Sequence, residues 1–163
     1  MPDIVRMTPS HLRSDFDCGE PTLDLFIRTQ ASQYEKRRLG NTYAAIDDAN
    51  VVVGYYTLAA GSLGVDERDS TRSKLPRHPI PIVLLARLAV TRAQQGSGLG
   101  FLLLQDAVRH VLTAANVVAV HALVVDALHD RAAKFYIKHG FTPVPQNLLK
   151  LYISIKTLQQ ANS

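Results

Sequence analysis

The glycine-rich stretch from Gln95 to Gly100, read as Gln95-Gly96-Ser97-Gly98-Leu99-Gly100, constrains the fold more than any other part of this chain. It follows an apolar run typical of a strand and opens a run with the spacing of an amphipathic helix. Glycines let backbone N–H groups converge on an anion, and a helix start adds unpaired N–H donors and the positive end of its dipole. The stretch therefore predicts a phosphate cradle between a strand and a helix.

The spacing of these glycines excludes two common phosphate sites. In a dinucleotide-binding G-x-G-x-x-G fingerprint the third glycine would fall on Phe101 or Leu103, and no acidic residue stands at 118–121 to hold a ribose. A P-loop is excluded because no Lys-Ser/Thr pair follows. A different phosphate-bearing ligand is implied, although the six residues alone are also compatible with a simple tight connection.

Length and composition indicate one intracellular domain. The chain has 163 residues, 47% of them hydrophobic, which is enough for one core and short for two, so we expect a single domain over residues 1–163. No apolar run approaches the roughly 18 residues that a membrane-spanning helix needs, so we expect a soluble, cytoplasmic protein without a membrane partner. The single cysteine, Cys18, excludes an internal disulfide, and the six histidines lack metal-site spacing, so no metal is expected.

The charge balance mildly favours a polyanionic partner. Lys and Arg total 18 against 14 Asp and Glu, which gives a formal net charge of +4. Such clusters are also typical of solvated faces, so charge alone does not establish nucleic-acid binding. The cations that we select as candidates for such a contact are Lys36, Arg37, Arg38, Arg72, Lys74 and Arg77.

Hydrophobic periodicity predicts an alternation of helices and strands. The predicted elements are a helix over 22–38, a hairpin of 42–46 and 51–58, a strand over 82–90, a helix over 99–115, a strand over 117–125, a helix over about 131–139 capped by Asp130, and a final strand near 149–155. The polar stretch 61–81 is predicted to be a surface loop. Strand, helix and strand over 82–125 predict a parallel crossover with the glycines at the edge where ligand sites collect.

This order and two motifs resemble the GCN5-related N-acetyltransferase (GNAT) superfamily. Gln95, Gly98 and Gly100 occupy the positions of its coenzyme A signature, Arg/Gln-x-x-Gly-x-Gly/Ala, and 132–141 is similar to its helix that carries Phe-Tyr and ends in Gly-Phe. The resemblance implies a mixed α/β domain with a central twisted sheet flanked by helices. Segments 16–19, 54–59 and 84–90 further resemble the TacT/AtaT-like acetyltransferase toxins of bacterial toxin–antitoxin pairs.

The superfamily resemblance implies that acetyl-CoA is the acyl donor. Its pyrophosphate is expected on the backbone of Gln95, Gly96, Ser97, Gly98, Leu99 and Gly100, and its pantetheine arm along the backbone of Leu88, Ala89 and Val90. Tyr136 is expected to supply a proton to the departing thiolate. From the residues alone, a core aromatic beside Phe135 is the favoured interpretation of Tyr136, and the superfamily resemblance reverses that preference.

The toxin resemblance implies the acceptor and the partners. The acceptor is the amino group of an aminoacyl-tRNA, whose acetylation blocks translation. The implied partners are a ribbon-helix-helix antitoxin, a second copy of the chain in a homodimer, and operator DNA reached only through the antitoxin. Two alternatives stay open: an acetyltransferase acting on a small amine or a protein N-terminus, and a non-catalytic module that binds coenzyme A or an antitoxin.

Three polar residues have two interpretations each. Arg87, the only charge in the apolar run 82–90, either holds phosphate or carboxylate-like groups of the acceptor or pairs with a buried carboxylate. Asp126 and His129 either accept the proton of the attacking amine, in place of water, or serve only as loop and capping residues.

Overall fold

The structure, a computed structural model, describes residues 1–64 and 79–162. Its strands are β1 (Asp3–Arg6), β2 (Asn41–Ile46), β3 (Val52–Leu63), β4 (Ile80–Val90), β5 (Ala122–Asp126), β6 (Thr142–Val144) and β7 (Asn147–Ser154). Its α-helices are α1 (Pro21–Leu25), α2 (Ala31–Lys36), α3 (Leu99–Ala115), α4 (Asp130–Lys138) and α5 (Ile155–Ala161). A π-helical turn, Phe26–Gln30, joins α1 to α2.

The seven strands of the described residues form one sheet in the order β1-β2-β3-β4-β5-β7-β6. The pairs β1–β2, β2–β3, β5–β7 and β6–β7 are antiparallel. β4 and β5 are parallel, with Leu85 opposite Val125, and α3 connects them in the chain. The predicted mixed α/β fold with a parallel β-α-β crossover is therefore confirmed.

The described residues divide into two compact units, each with its own core. The first contains Met1–Ala59 and Ala86–Ala107, and the second contains Ala60–Leu85 and Val108–Ser163. In the first, Phe16 packs edge-on against Tyr55 at 5.5 Å between ring centroids, and Phe26 stacks on the same tyrosine. In the second, Leu63 and two isoleucines of β4 pack with Ala122 and Val124 of β5. A single domain over residues 1–163 stays a prediction.

The π-helical turn interrupts the long helix that the sequence predicts over 22–38. Thr29 Oγ1 donates to the carbonyl oxygen of Leu25, and the N–H of Ala31 reaches back five residues to Phe26 O. A hydroxyl that competes for a helical carbonyl favours such a local change of helix type. β1, β6 and α5 have no counterpart among the predicted elements.

The predicted strand over 117–125 is wrong for its first half. The N–H groups of Val117 and Val118 both donate to Ala114 O at 3.0 Å, so the chain continues as a turn at the end of α3, and both valines are exposed. The first contact with β4 comes at His121, whose N–H donates to Pro81 O. The β-branched run has strand composition, but its backbone groups complete a helix end.

The hairpin prediction is confirmed, while the predicted loop over 61–81 is too long. β3 continues to Leu63 and β4 begins at Ile80. The part of the loop that carries Arg72, Lys74 and Arg77 lies outside the described residues.

The cap of α4 is His129 and not the predicted Asp130. The backbone of His129 is extended, and its Nδ1 accepts the N–H of Ala132 at 3.1 Å. Asp130 is already the first helical residue, where a carboxylate contributes only through the helix dipole. Both adjacent side chains are able to cap, and the backbone conformation selects between them.

Replacing His129 by Ala is expected to lower the free energy of unfolding by about 1 kcal/mol, because the N–H of Ala132 loses its acceptor. Asp130→Ala, the matched control, is expected to lower it by only about 0.3 kcal/mol, since alanine gains helix propensity where the dipole interaction is lost. Urea unfolding followed by circular dichroism measures both values. A larger loss for Asp130→Ala would assign the cap to Asp130.

Candidate active site

The glycine stretch forms an open turn between β4 and α3. Gly96 and Gly98 have left-handed backbones, with φ of +80° and +91°, and apart from the adjacent residues no described atom lies within 4 Å of where a Cβ of either would stand. The first hydrogen bond of α3 runs from Leu102 N–H to Gly98 O, so the N–H groups of residues 99–101 precede it. The residues 95–98 are exposed. This backbone has the form of an anion cradle.

The side chains of Gln95 and Ser97 donate to backbone carbonyls of the turn, of β4 and of Cys18. Gln95 Nε2 donates to Cys18 O at 2.8 Å and to Val90 O at 2.9 Å. Ser97 Oγ donates to Gln94 O at 2.6 Å. Ligand binding at this turn therefore falls to the backbone, while these two side chains fix the shape of the loop.

The end of β4 extends beyond the residues that pair with β5. The parallel register of the two strands runs from Ile82 opposite Ala122 to Leu85 opposite Val125, whereas β4 continues to Val90. Ala89 is buried, and its neighbours Leu88 and Val90 are half-buried. A strand that outruns its neighbour offers backbone groups to an added extended ligand.

Tyr136 is a buried phenol on α4. Its side chain is 5% exposed, and its ring lies edge-on to Phe135 and Phe141, with centroids 5.2 and 5.5 Å away. Burial raises the pKa of Tyr136, so the hydroxyl is protonated at neutral pH. No hydrogen bond joins this hydroxyl to another described residue.

Two other buried tyrosines show the contrast. Tyr55 Oη donates to Leu23 O at 2.8 Å, and Tyr56 Oη donates to Asp106 Oδ2 at 2.6 Å. Buried polar groups in proteins normally make such hydrogen bonds, so a Tyr136 hydroxyl without one to any described residue requires an explanation.

Arg87 stacks on aromatic rings. Its guanidinium carbon lies 3.7 Å from the centroid of Phe26 and 5.3 Å from that of Tyr34. A guanidinium over an aromatic face is stabilised by the ring quadrupole and keeps its edge N–H groups for other partners. Both sequence interpretations of Arg87 remain predictions.

The other candidates fall into separate places. Lys36, Arg37 and Arg38 are exposed at the end of α2, whereas the cations at 72, 74 and 77 lie outside the described residues. Asp126 is mostly exposed, with Oδ1 3.9 Å from Lys150 Nζ. Asp126 is the last residue of β5 and not the predicted loop residue, whereas His129 is a capping residue. A role of either side chain as proton acceptor stays a prediction.

Two acidic residues near the glycine turn escape sequence reasoning. Asp17 accepts hydrogen bonds from Arg92, and the buried Asp24 accepts the N–H of Cys18, whose carbonyl meets Gln95. The sequence signal that could have indicated Asp24 is its position in the apolar helical run after Pro21, because a carboxylate buried in such a run needs a partner. Its partner is a backbone group, which residue types do not reveal.

Two absences hold within the described parts of the chain. No group of three or more His, Cys, Asp or Glu side chains is placed to hold a metal ion there. Within the same ranges, no helix is long and apolar enough to cross a membrane.

Comparison with known proteins gives the family. The model of the acetyltransferase (GNAT) domain matches residues 38–143. The chain therefore belongs to the GNAT family of acetyltransferases. It is 38% identical over 144 residues to a tRNA-acetylating toxin of Mycobacterium tuberculosis, which covers 88% of this chain and 86% of the relative.

Solved structures of toxins of this family have the same fold. AtaT complexed with acetyl-methionyl-tRNAfMet has a TM-score of 0.91 and 30% identity, with full coverage of both chains. A tyrosine-to-phenylalanine mutant of AtaT, bound to acetyl-CoA and the C-terminus of the antitoxin AtaR, has a TM-score of 0.85 and 31% identity, covering 99% of this chain and 98% of that one. The AtaT–AtaR complex bound to DNA has a TM-score of 0.81 and 31% identity, covering 99% of each chain.

The hydrogen-bond states of the three tyrosines predict different effects of removing a hydroxyl. Tyr136→Phe is expected to change the free energy of unfolding by less than about 0.5 kcal/mol or to raise it, because no described partner is lost. Tyr55→Phe is expected to lower it by about 1 kcal/mol, and Tyr56→Phe, which leaves Asp106 without that donor, by about 2 kcal/mol. Denaturant titrations of the three variants test this ranking. A loss for Tyr136→Phe as large as that for Tyr55→Phe would show that its hydroxyl is structural.

Proposed function

We propose that this protein is a toxin that transfers the acetyl group of acetyl-CoA to the amino group of an aminoacyl-tRNA and thereby blocks translation. The observation that carries the proposal is the 38% identity, over 88% of the chain, to a tRNA-acetylating toxin. The open glycine turn and the buried phenol of Tyr136 supply groups that this chemistry needs. One binds phosphate and the other donates a proton.

The backbone is proposed to hold the donor. The backbone of Gln95, Gly96, Ser97, Gly98, Leu99 and Gly100 binds the pyrophosphate, where left-handed glycines and the start of α3 favour an anion. The N–H groups of Gln95 and Ser97 already donate to Arg92 O and Gln94 O at 3.3 Å, so those of the other four residues are assigned to the anion. Leu88, Ala89 and Val90 pair with the pantetheine arm in the manner of an added strand. The register with β5 ends at Leu85, which supports this assignment.

Tyr136 is proposed to act on the leaving group. The neutral amine attacks the thioester carbonyl carbon, a C–N bond forms, and the C–S bond breaks. Because burial keeps its hydroxyl protonated, Tyr136 meets the developing thiolate as a hydrogen-bond donor. Tyr136 passes its proton to the thiolate, which leaves as the thiol, and the proton that the amine gives up to water returns to the Tyr136 phenolate.

A dedicated base is unnecessary for this acceptor. The amino group of an aminoacyl ester is easier to deprotonate than an ordinary α-amino group with a pKa of about 7.7 to 8.0, so a useful fraction is neutral near pH 7. This agrees with the position of Asp126 at the end of β5, near Lys150, and with the role of His129 as a helix cap.

The acceptor is proposed to bind through its phosphates. The cations assigned to this contact are Lys36, Arg37, Arg38, Arg72, Lys74, Arg77 and Arg87. Such contacts release counterions, so binding weakens with salt and is largely indifferent to base sequence.

The proposed biological setting is a toxin–antitoxin pair. AtaT is complexed with its antitoxin AtaR in one solved structure and with AtaR and DNA in another. For this chain we propose a ribbon-helix-helix antitoxin, a homodimer, contact with operator DNA only through the antitoxin, and a place in the cytoplasm, where charged tRNA is found.

Incubation with labelled acetyl-CoA and a pool of charged tRNA, followed by nuclease digestion, is expected to yield acetylated aminoacyl-adenosine. Tyr136→Phe is expected to lower the transfer rate by about 100-fold or more while acetyl-CoA binding persists. Tyr55→Phe, which also removes one buried hydroxyl, serves as the matched control and is expected to retain transfer.

The other outcomes of this assay identify the alternatives. Turnover of small amines or peptide N-termini without tRNA would assign the protein to the wider acetyltransferases. Binding of acetyl-CoA by the wild-type protein with no transfer to any amine would make it a non-catalytic module.

The donor cradle generates a separate prediction about Gly98. Gly98→Val forces a β-branched residue into a left-handed backbone at about 1–2 kcal/mol, so we expect the Kd of acetyl-CoA to rise about five- to thirtyfold. Ser97→Ala is the control, with an expected change below about threefold, because Ser97 Oγ bonds to the loop. Isothermal titration calorimetry measures both. Equal effects of the two substitutions would contradict binding by the glycine backbone.

A further inference from the structure

The three-residue segment Asp17–Gly19 is attached to the turn that leads into the glycines. The N–H of Arg92 donates to Asp17 O at 2.9 Å, and Thr91 Oγ1 donates to the same oxygen at 3.2 Å. Gln95 Nε2 reaches the next carbonyl, that of Cys18, at 2.8 Å. The turn over residues 91–95 is therefore held by chain that lies more than 70 positions earlier.

The Asp17 carboxylate adds two further contacts. Oδ2 accepts from Arg92 Nε at 3.1 Å, and Oδ1 accepts the N–H of Gly19 at 3.0 Å. The hydrogen bond from Arg92 lowers the pKa of the Asp17 carboxyl, so it is ionised at neutral pH. The Asp17 carboxylate thus bonds both to Arg92 of the turn and to Gly19 of its own segment.

The segment itself is fixed to the core of its unit. The N–H of Cys18 donates at 2.8 Å to Oδ1 of Asp24, a buried carboxylate on α1. Phe16, immediately before the segment, is buried against Tyr55. The segment therefore gives the turn an anchored surface.

The glycines need such an anchor from their flanks. Gly96 and Gly98 carry no side chain to pack, and no described atom surrounds their Cβ positions. On one flank Leu99 and Leu103 of α3 are buried in the core, and on the other flank residues 91–95 rest on Asp17–Gly19. Hydrogen bonds to an anion weaken steeply with misalignment, so a loose flank would cost affinity.

We infer that Asp17 is a positioning residue of the donor site: by holding residues 91–95 it aligns the glycine N–H groups and so selects coenzyme A over ligands that lack its diphosphate. The inference rests on the proposed donor site at the glycine turn. Asp17 acts through Arg92 and the turn and has no assigned contact with the substrate.

Removing the Asp17 carboxylate changes anion affinity in opposite directions under a positioning role and under a purely electrostatic one. Removing a negative charge near a phosphate site should tighten anion binding if only long-range charge matters. If Asp17 aligns the cradle, its removal weakens binding and does so only for ligands with a diphosphate. Affinities of the intact protein for coenzyme A and for pantetheine, which lacks the nucleotide and diphosphate, distinguish the two cases.

For Asp17→Ala we expect the Kd of coenzyme A to rise about three- to tenfold and the Kd of pantetheine to change less than about twofold. Asp17→Asn keeps a side-chain oxygen for Gly19 N–H or Arg92 and is expected to recover most of the loss. Asp15→Ala, an exposed acidic residue two positions earlier, is the control for charge and is expected to leave both Kd values unchanged. Calorimetry at fixed salt measures all four proteins.

Coenzyme A binding by Asp17→Ala that is as tight as in the wild type, or tighter, would overturn the positioning role. An equal loss for coenzyme A and pantetheine would overturn it too, since that pattern indicates general damage. Gln95→Ala, which removes both hydrogen bonds of Nε2, gives a second check and is expected to lose coenzyme A affinity selectively. A wild-type protein that binds coenzyme A no better than pantetheine would instead contradict the donor site itself.

Discussion

The structure around the glycine turn depends on one constraint: backbone N–H groups must stay open to solvent while the chain on both sides is held in place. The left-handed glycines at 96 and 98 meet the first requirement. The buried start of α3 and the contacts of residues 91–95 meet the second. The side chains of Gln95 and Ser97 donate to backbone carbonyls of the protein, so the groups that remain to face a ligand belong to the backbone.

The part of the fold that the sequence predicts is the part encoded by local periodicity. The order of an apolar run, an amphipathic run and a second apolar run over 82–125 predicts the β-α-β crossover, and two apolar runs separated by a polar turn predict the hairpin. The failures have a different origin. Val117 and Val118 have strand composition, yet their N–H groups complete a helix end, and the cap of α4 lies at His129 because the backbone there is extended.

The candidate site shows the same division. Its glycines and Tyr136 are recognisable by motif, but the state of the tyrosine is not. Three tyrosines are buried, and only the structure shows that Tyr55 and Tyr56 donate to protein oxygens while Tyr136 has no such bond to a described residue. The contacts of Asp17 and Arg87 likewise join residues far apart in the chain, to which a periodic pattern is blind.

The two hydrogen bonds of Gln95 have a consequence for which substitutions this position tolerates. Its Nε2 meets two carbonyl oxygens, so the site demands a donor on a long side chain and is indifferent to charge. Arginine also presents several N–H donors and no acceptor, whereas glutamate would bring a third oxygen against two others. The coenzyme A signature accepts either arginine or glutamine at this position because both supply N–H donors that hold the loop carbonyls in place.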